Sequence, residues 1–336
     1  MNVGSPRPHG ARSGASVVLC TYNGARFLAE QLESLLAQSR LPAQIVIADD
    51  ASSDETPAMV ESFAERARAE GIEVVLRLRQ ANLGYIANFS DALRLATAEV
   101  VFLCDQDDVW HPDKLRDVLA RFDEDPDLSL AFTDARLVDG DGRSLEQSLF
   151  AALELRPAQW GAIDAGAAFP VLLERAVVTG ATAACRRWVV DKALPVPAGW
   201  IHDEWLATVA AMFGRIAAIH MPLIDYRQHG GNQIGIARRT FRARFGDLFR
   251  PRNALLGRAV ERMAGLADRF GSDPAAPAAF RDLLARRLAH YRERVTIGAR
   301  PRPGRWPLIY AEWRRGAYAR YGNGLSSVVR DILRKD

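Results

Sequence analysis

Three short polar runs carry the residue types that do chemistry. Cys20-Thr21-Tyr22-Asn23-Gly24 follows one apolar run, Asp49-Asp50-Ala51-Ser52-Ser53-Asp54 a second, and Asp105-Gln106-Asp107-Asp108 a third. Asn and Ser at such places also cap helices, and Asn23, Ser52 and Ser53 are candidate caps. Capping alone leaves the carboxylates unexplained, because crowding them is repulsive unless a cation or a donor-rich ligand neutralises them. On a turn, Asp105 and Asp107 in an Asp-x-Asp arrangement can hold Mg2+ or Mn2+ through hard oxygens and leave coordination sites for a diphosphate. No G-x-x-x-x-G-K-[ST] and no G-x-G-x-x-G run occurs, which excludes a P-loop and a classical dinucleotide site. Phosphate bound here is therefore expected to be neutralised by metal rather than by a glycine cradle.

Two later runs add to these. In His202-Asp203-Glu204-Trp205, Asp203 stands where an amphipathic pattern begins, as a helix cap or as a general base. A helix amino terminus favours the carboxylate form, which leaves it able to accept a proton at neutral pH. Glu204 is the rival base and projects about 100° away on a helix. His202 reads as a hydrogen-bonded structural residue, and Trp205 as core, with sugar stacking by Trp205 or Trp200 as the alternative. In Gln228-His229-Gly230-Gly231-Asn232 the two glycines let backbone approach a ligand closely. That makes His229 a candidate diphosphate contact or additional metal ligand.

The elements that must position these residues follow from periodicity. Ser16–Cys20, Ile45–Ala48, Val74–Leu78, Val100–Cys104 and Leu130–Thr133 are short, apolar and rich in β-branched residues, so they are expected to be strands. Between them Leu28, Leu32, Leu35 and Leu36, then Phe89, Ala92, Leu93 and Ala96, then Leu115, Val118, Leu119 and Phe122 recur at helical spacing. His111-Pro112-Asp113 opens the third of these helices. Strands alternating with helices predict an α/β, doubly wound, mainly parallel sheet with helices on both faces. In such a sheet ligands bind beyond the carboxyl ends of the strands, which is where the three polar runs fall. Less regular sequence follows, with a strand expected near Ala176–Thr179 and a helix over Asp203–Phe213.

Composition bounds the rest. The chain has 336 residues, 49% apolar and 25% charged, which suits a globular protein and excludes disordered, collagen-like and disulfide-scaffold classes. No stretch approaches the ~18–20 apolar residues of a membrane span. Residues 1–15, expected to be a flexible segment, lack the apolar core of a signal peptide or anchor. Cys20, Cys104 and Cys185 lie far apart in apolar surroundings, as expected of reduced core thiols in a cytoplasmic protein. The net charge of +3 hides a division: residues 237–336 hold 23 Lys/Arg against 9 Asp/Glu, and residues 1–236 hold 21 against 32. Of the 44 basic residues only Lys114, Lys192 and Lys335 are lysine.

Taken in order, SVVLCTYNGARFLAEQLESLLAQ, IVIADDASSDET, NLGYIANFSDAL and VFLCDQDDVWHPDKL resemble the family 2 inverting glycosyltransferases of the GT-A fold. The rhamnosyltransferase-like branch that builds bacterial surface polysaccharides is the nearest resemblance, and VTGATAACRR, HDEW and YRQHGGNQIG extend it to about Gly235. It implies a GT-A domain over 16–235, with a nucleotide-binding half at 16–134 and an acceptor-binding half at 135–235. Thr21, Tyr22 and Asn23 would line the nucleotide base through backbone atoms, and Asp50 would accept the pyrimidine N3–H. Asp49 would be its neighbour, and Asn82 would lie close to the base or ribose. Asp105 would face the ribose and Asp107 the metal. Asp203 would be the general base of an inverting displacement, while Asp108, Gly180, Ala181, Glu204 and Trp205 would border donor sugar and acceptor. The implied cofactor is Mg2+ or Mn2+, the donor a UDP- or dTDP-sugar, plausible as a deoxyhexose such as rhamnose, and the acceptor a lipid-linked or surface glycan.

Residues 236–336 are expected to form a basic, mostly helical extension. Phe241, Phe245, Leu248 and Phe249 interleave with Arg238, Arg239, Arg242, Arg244 and Arg250. Trp306, Tyr310, Trp313, Tyr318 and Tyr321 interleave with Arg305, Arg314, Arg315 and Arg320. Such stretches suit peripheral contact with an anionic membrane on the inner face of the plasma membrane; packed helices with solvated Arg faces are the alternative. The tail carries no nucleic-acid module, and the acidic body would repel phosphates. Two other readings of the whole chain compete. Asp105-Gln106-Asp107-Asp108-Val109 after an apolar strand also satisfies the D-x-D-x-[TV] of haloacid-dehalogenase phosphatases, which need a later lysine, here Lys192. A GT-A-fold binding protein without activity would instead be expected to lose the metal Asp or the base.

Overall fold

The computed structural model describes residues 14–229, 251–334 and 336. They fall into two compact units, the first built from residues up to 168 with 177–196 and 201–235, the second from 169–176, 197–200 and residues from 236 on.

The first unit is a mixed α/β layer structure around nine strands, β1 (Ala15–Thr21), β2 (Gln44–Asp49), β3 (Glu73–Leu78), β4 (Val100–Cys104), β5 (Val109–Trp110), β6 (Leu128–Val138), β7 (Ser144–Ser148), β8 (Ala183–Arg186) and β9 (Arg215–Arg227). They pair in the order β3-β2-β1-β4-β8-β6-β9-β5, with β7 on β6. The β3-β2-β1-β4 half is parallel, as is β6 on β9. Antiparallel β8 joins the two parallel parts. Every residue of β1, β2 and β4 is buried, as apolar strands covered on both faces must be. Thr21 pairs with Asp49, and Leu19 with Cys104, so the three polar runs leave the sheet side by side at one edge.

The helices sit where the apolar spacing puts them. Ala25–Leu36 buries Phe27, Leu28, Leu32 and Leu35, and Lys114–Glu124 buries Leu115, Val118, Leu119 and Phe122. All three thiols are buried and free, and burial holds each above its ordinary pKa. Three local expectations are corrected. The residues capping the two first helices are Gly24 and Glu55, so Asn23, Ser52 and Ser53 serve elsewhere. The strand expected near 176–179 lies at Ala183–Arg186, because Gly180–Thr182 turns as a short 3-10 helix first. β9, whose 13 residues include Pro222, runs where no strand was expected.

The second unit holds the helices Asn253–Phe270, Ala278–Gly298, Arg302–Arg314, Ala317–Tyr321 and Leu325–Leu333, the last four of which meet in a small apolar core of Ile297, Ile309 and Tyr318. Beside it Asp331, fully buried, accepts two hydrogen bonds from Arg294 and one from the Tyr318 hydroxyl. Arg305 lies inside as well and donates to the carbonyls of Gly298, Arg300, Asp331 and Arg334, satisfying helix ends that would otherwise be orphaned. No helix among the described residues is long and apolar enough to cross a membrane.

Asp203 lies in the first turn of the His202–Phe213 helix, whose far end abuts β6. Gly214 follows that helix, and a Cβ there would stand 2.8 Å from the Ser129 Cβ. The Ser129 hydroxyl cannot swing aside, since it donates to the carbonyls of Ala210 and Arg215. Gly214→Ala is therefore expected to destabilise the fold by about 1–3 kcal/mol through overpacking. The loss would appear as a melting temperature lower by roughly 2–4 °C per kcal/mol; an unchanged melting temperature would contradict this packing.

Candidate active site

The loops at the sheet edge are tied to one another by side chains. Asp49 accepts from the Thr21 hydroxyl at 2.7 Å and from both the backbone N–H and the hydroxyl of Ser52. Asn23, in the left-handed region at φ 47°, accepts from the Ser53 N–H at 2.8 Å while its own N–H donates to Ser52. Asn tolerates that conformation better than most residues. Gln106 reaches across from the third loop, accepting from the Tyr22 N–H at 2.7 Å and donating to the Tyr22 carbonyl. A Cβ at Gly24 would fall 2.3 Å from the Gln106 Oε1, so this approach requires glycine. The side chains of Thr21, Asn23 and Asp49 thus hold the loops, and what this rim offers a ligand is backbone and the half-exposed Tyr22 ring.

Asp50 is 2% exposed, and its carboxylate accepts from the backbone N–H groups of Leu83 and Gly84 at 2.8 and 2.9 Å. Asn82 donates to the Asp50 carbonyl and accepts from Gly84, so it closes the same latch. Gly84 takes φ +84°, which frees the helix Tyr85–Leu93 to start immediately after the latch.

The Asp-x-Asp run is held by two buried cations. Arg227, 3% exposed, donates from its backbone to Asp108, from Nε to the Asp107 carbonyl, and from its other nitrogens to Gly140 and Glu30. Lys114, fully buried, donates to the Ala181 carbonyl at 2.7 Å and lies 3.7 Å from the centre of the Trp110 ring. Burial pulls its ammonium down to about 7, against the charges of Cys104, Asp108 and Asp105. Asp105 is held above the usual carboxylate range by burial first, then by the charges of Asp107 and Asp203. Asp108 is pushed the same way by burial, then by Asp107 and Asp105. Its Oδ2 has no hydrogen-bond partner among the described residues.

Asp203 is not a cap, since Ile201 occupies that position. Its Oδ2 accepts from the Gly180 N–H at 2.8 Å and its Oδ1 from the Glu204 N–H at 2.7 Å. A Cβ at Gly180 would lie 3.3 Å from Oδ2, so the turn sits close against the carboxylate. Lys114 anchors Ala181, and Gly180 orients Asp203, which links the third loop to Asp203 through one short turn.

Three of the residues expected to border donor sugar and acceptor are buried. Trp205 is fully buried and donates to the Ala193 carbonyl, Ala181 is fully buried, and Asp108 is 1% exposed. Gly180 and Glu204 stay beside Asp203, through the backbone bonds given above. His202 is buried and stacked on Phe89 at 4.1 Å, and burial pulls its pKa down to about 3, so it is a neutral packing residue. Lys192 lies 4.0 Å over Phe213, at the end of the helix opposite Asp203, where it cannot serve the phosphatase reading. Lys114, Arg227 and Gln106 were not singled out from sequence; the scarcity of lysine was the one signal pointing to Lys114.

The metal ligands named from sequence can be tested on donor chemistry. His229 Nε2 and Asp107 Oδ2 are 2.8 Å apart, and Asp105 supplies a further half-buried carboxylate on the same loop. No three His, Cys, Asp or Glu side chains among the described residues gather closely enough to enclose a metal. A carboxylate and an imidazole fit a divalent ion whose remaining ligands come from diphosphate and water. Gly230, Gly231 and Asn232 lie outside the described residues.

This architecture is the GT-A-like fold of nucleotide-sugar glycosyltransferases. Over residues 16–188, just over half of its length, the chain matches the profile "Glycosyl transferase family 2", and it belongs to that family. It is 30% identical over 223 residues to an uncharacterized glycosyltransferase of Nostoc, covering 65% of each chain. To the succinoglycan biosynthesis protein ExoO of Rhizobium meliloti it is 30% identical over 138 residues, 41% of this chain and 37% of the relative. Relatives that match over 220 residues or more are spanned over only 58% to 65% of their own length. Among solved structures, S. aureus TarS with UDP-GlcNAc shares the fold at TM-score 0.59 and 18% identity, covering 95% of this chain and 89% of that one. A mannosyltransferase of Pyrobaculum calidifontis, solved with GDP-Man and Mn2+, does so at TM-score 0.50 and 20% identity, covering 96% and 87%.

Removing the buried countercharge tests this electrostatic frame. Lys114→Met loses the bond to Ala181 and leaves Asp105 and Asp108 less compensated, which is expected to lower unfolding free energy by about 2–4 kcal/mol. Denaturant midpoints measure it, and a Met variant that unfolds at the wild-type midpoint would contradict the role given to Lys114.

Proposed function

We propose that the first unit transfers a sugar, with inversion, from a nucleoside diphosphate to a hydroxyl group of a glycan. The observation that carries this reading is the link from the Asp105–Asp108 loop through Lys114 and the Gly180 turn to Asp203. It brings a diphosphate-and-metal loop and a fixed carboxylate to one sheet edge. The backbone N–H groups of Gly180 and Glu204 bond one oxygen each and so fix the orientation of the carboxylate. Asp203 takes the proton of the acceptor hydroxyl as its oxygen attacks the anomeric carbon. The bond from that carbon to the diphosphate oxygen breaks on the opposite face, and the nucleoside diphosphate leaves.

Residues 16–134 hold the nucleotide in this reading and residues 135–235 the acceptor. Thr21, Tyr22 and Asn23 line the base through backbone, and Asp105 faces the ribose. Asp50 and Asn82, which latch the 82–84 loop, border the base. Asp107 with His229 holds Mg2+ or Mn2+, which when bound neutralises charge developing on the leaving diphosphate. The Mn2+ in the archaeal mannosyltransferase supports the metal, and UDP-GlcNAc in TarS supports a nucleotide-sugar donor. UDP or dTDP is the donor nucleotide proposed from the Asp50 resemblance, and rhamnose the sugar from the branch resemblance. A lipid-linked or surface glycan is the acceptor, a reading supported by the likeness to ExoO. The protein works in contact with an anionic membrane on its cytoplasmic face.

Thermal-shift measurements with UDP, dTDP, GDP and CDP, each with and without Mn2+, test the donor and metal assignments together. Ligand at a hundred times its Kd stabilises by about 2.7 kcal/mol. A rise of several degrees with UDP or dTDP, lost without Mn2+ and lost in Asp107→Asn, is the expected outcome. No shift with any nucleotide would contradict the transferase reading, and a shift that persists in Asp107→Asn would remove the metal from that residue.

A further inference from the structure

The Arg302–Arg314 helix of the second unit is built inside out. Its buried positions include Arg305 and Glu312, both fully engaged: Arg305 caps four carbonyls, and Glu312 bonds His290 at 2.6 Å. Its outward positions carry Trp306, Tyr310 and Trp313, which are 57%, 56% and 54% exposed. Residues four and three apart stand above one another on a helix, so these rings form one stripe. The Tyr310 and Trp313 ring centres lie 6.1 Å apart, which makes the stripe continuous along its second half.

Charge is arranged with equal bias. The exposed residues of this helix are Arg302, Pro303, Gly304, Trp306, Pro307, Tyr310, Trp313 and Arg314, with arginine at both ends and no carboxylate. Arg315, immediately after it, is exposed as well. Scattered exposed apolar residues need no explanation, but three large aromatics in one stripe on a helix that buries Arg305 and Glu312 do. Tryptophan and tyrosine combine an apolar ring with a polar edge, which suits the boundary between lipid headgroups and acyl chains. Arginines flanking such rings fit anionic headgroups.

We infer that the Trp306–Tyr310–Trp313 face is the surface by which this protein lies on an anionic lipid bilayer, its rings in the headgroup layer and Arg302 and Arg314 on lipid phosphates. The inference rests on, and narrows, the membrane contact proposed above for the basic region. It also corrects that expectation in part. Tyr318 and Arg305 are 1% and 3% exposed and take no part in the surface. Phe241, Phe245, Leu248 and Phe249, with Arg238, Arg239, Arg242, Arg244 and Arg250, lie outside the described residues.

Co-sedimentation of the full chain with phosphatidylcholine vesicles, with and without phosphatidylglycerol, tests the face. Binding is expected to the phosphatidylglycerol vesicles and to weaken with salt. The triple variant Trp306→Ser, Tyr310→Ser, Trp313→Ser is expected to bind about ten-fold or more weakly, and Arg302→Glu with Arg314→Glu to lose binding similarly. The three aromatic side chains face solvent, so the triple variant should keep the wild-type melting temperature and its nucleotide-induced rise. Arg302 also donates to the Leu333 carbonyl at 3.0 Å, so the arginine variant is compared at a temperature where its nucleotide-induced rise shows it folded. That rise separates failure of the face from failure of the transferase reading. Equal binding by the triple variant, or no binding by the wild type, would overturn the inference. So would a wild-type dimer that the triple substitution dissociates, since the stripe would then be covered by a second copy.

Discussion

Carboxylates set the terms for this fold. Asp105, Asp107 and Asp108 leave β4 on one turn, and Asp203 is near enough to add its charge to that of Asp105. Such a set persists only with compensation, and a buried lysine and a buried arginine supply it. Lys114 and Arg227 are each tied by hydrogen bonds to backbone that the carboxylates must be aligned with: Ala181 for the first, the Asp107 carbonyl for the second. The same bonds that stabilise the charges therefore place the loops. Asp108 shows what the arrangement leaves over, a buried carboxyl oxygen without a partner among the described residues.

The placing of Asp203 follows from that constraint. Gly180 can present its N–H to Asp203 because Ala181 is anchored next to it, and because no Cβ intervenes at 3.3 Å. Gln106 sits between Asp105 and Asp107, and its amide imitates a backbone pair to bind Tyr22 at both ends. The position with no implied role in Asp-x-Asp thus joins the third loop to the first. Asp49, Thr21, Asn23 and Ser52 complete a rim whose own hydrogen bonds are made before a ligand arrives. Preorganisation of this kind keeps the cost of ordering out of the binding step.

Much of this was legible in sequence because it is local. Five strands were marked by β-branched apolar runs, and the polar clusters by their position after three of them. Lys114 and Arg227 were not, since their partners lie 67 and 120 residues away and no period or spacing connects them. Asp203 read as a cap or as a general base because helix caps and first-turn acids share residue types; only the structure separates Ile201 at the cap from Asp203 behind it. β9 escaped because it contains a proline and charged residues along a partly exposed strand. Tyr318 shows the converse, an aromatic beside charges that packs inward, whereas Trp205 is core as its helical spacing predicted. In the Arg302–Arg314 helix the aromatic and basic residues were legible in sequence, but not which of them face outward, because that is set by where Arg305 finds its carbonyl partners.

The central claim is that Asp203, held by Gly180, is the base of an inverting sugar transfer. Asp203→Asn keeps the size and can still accept the Gly180 N–H through its amide oxygen, but it cannot take a proton. Calorimetric titration of the donor nucleotide with Mn2+, beside single-turnover transfer from the nucleotide sugar that binds, separates the two functions. Donor affinity within about two-fold of wild type and transfer slower by about 10²–10⁴-fold are predicted, the range for losing a general base. Transfer at the wild-type rate, or loss of transfer only in proportion to loss of donor affinity, would contradict the account.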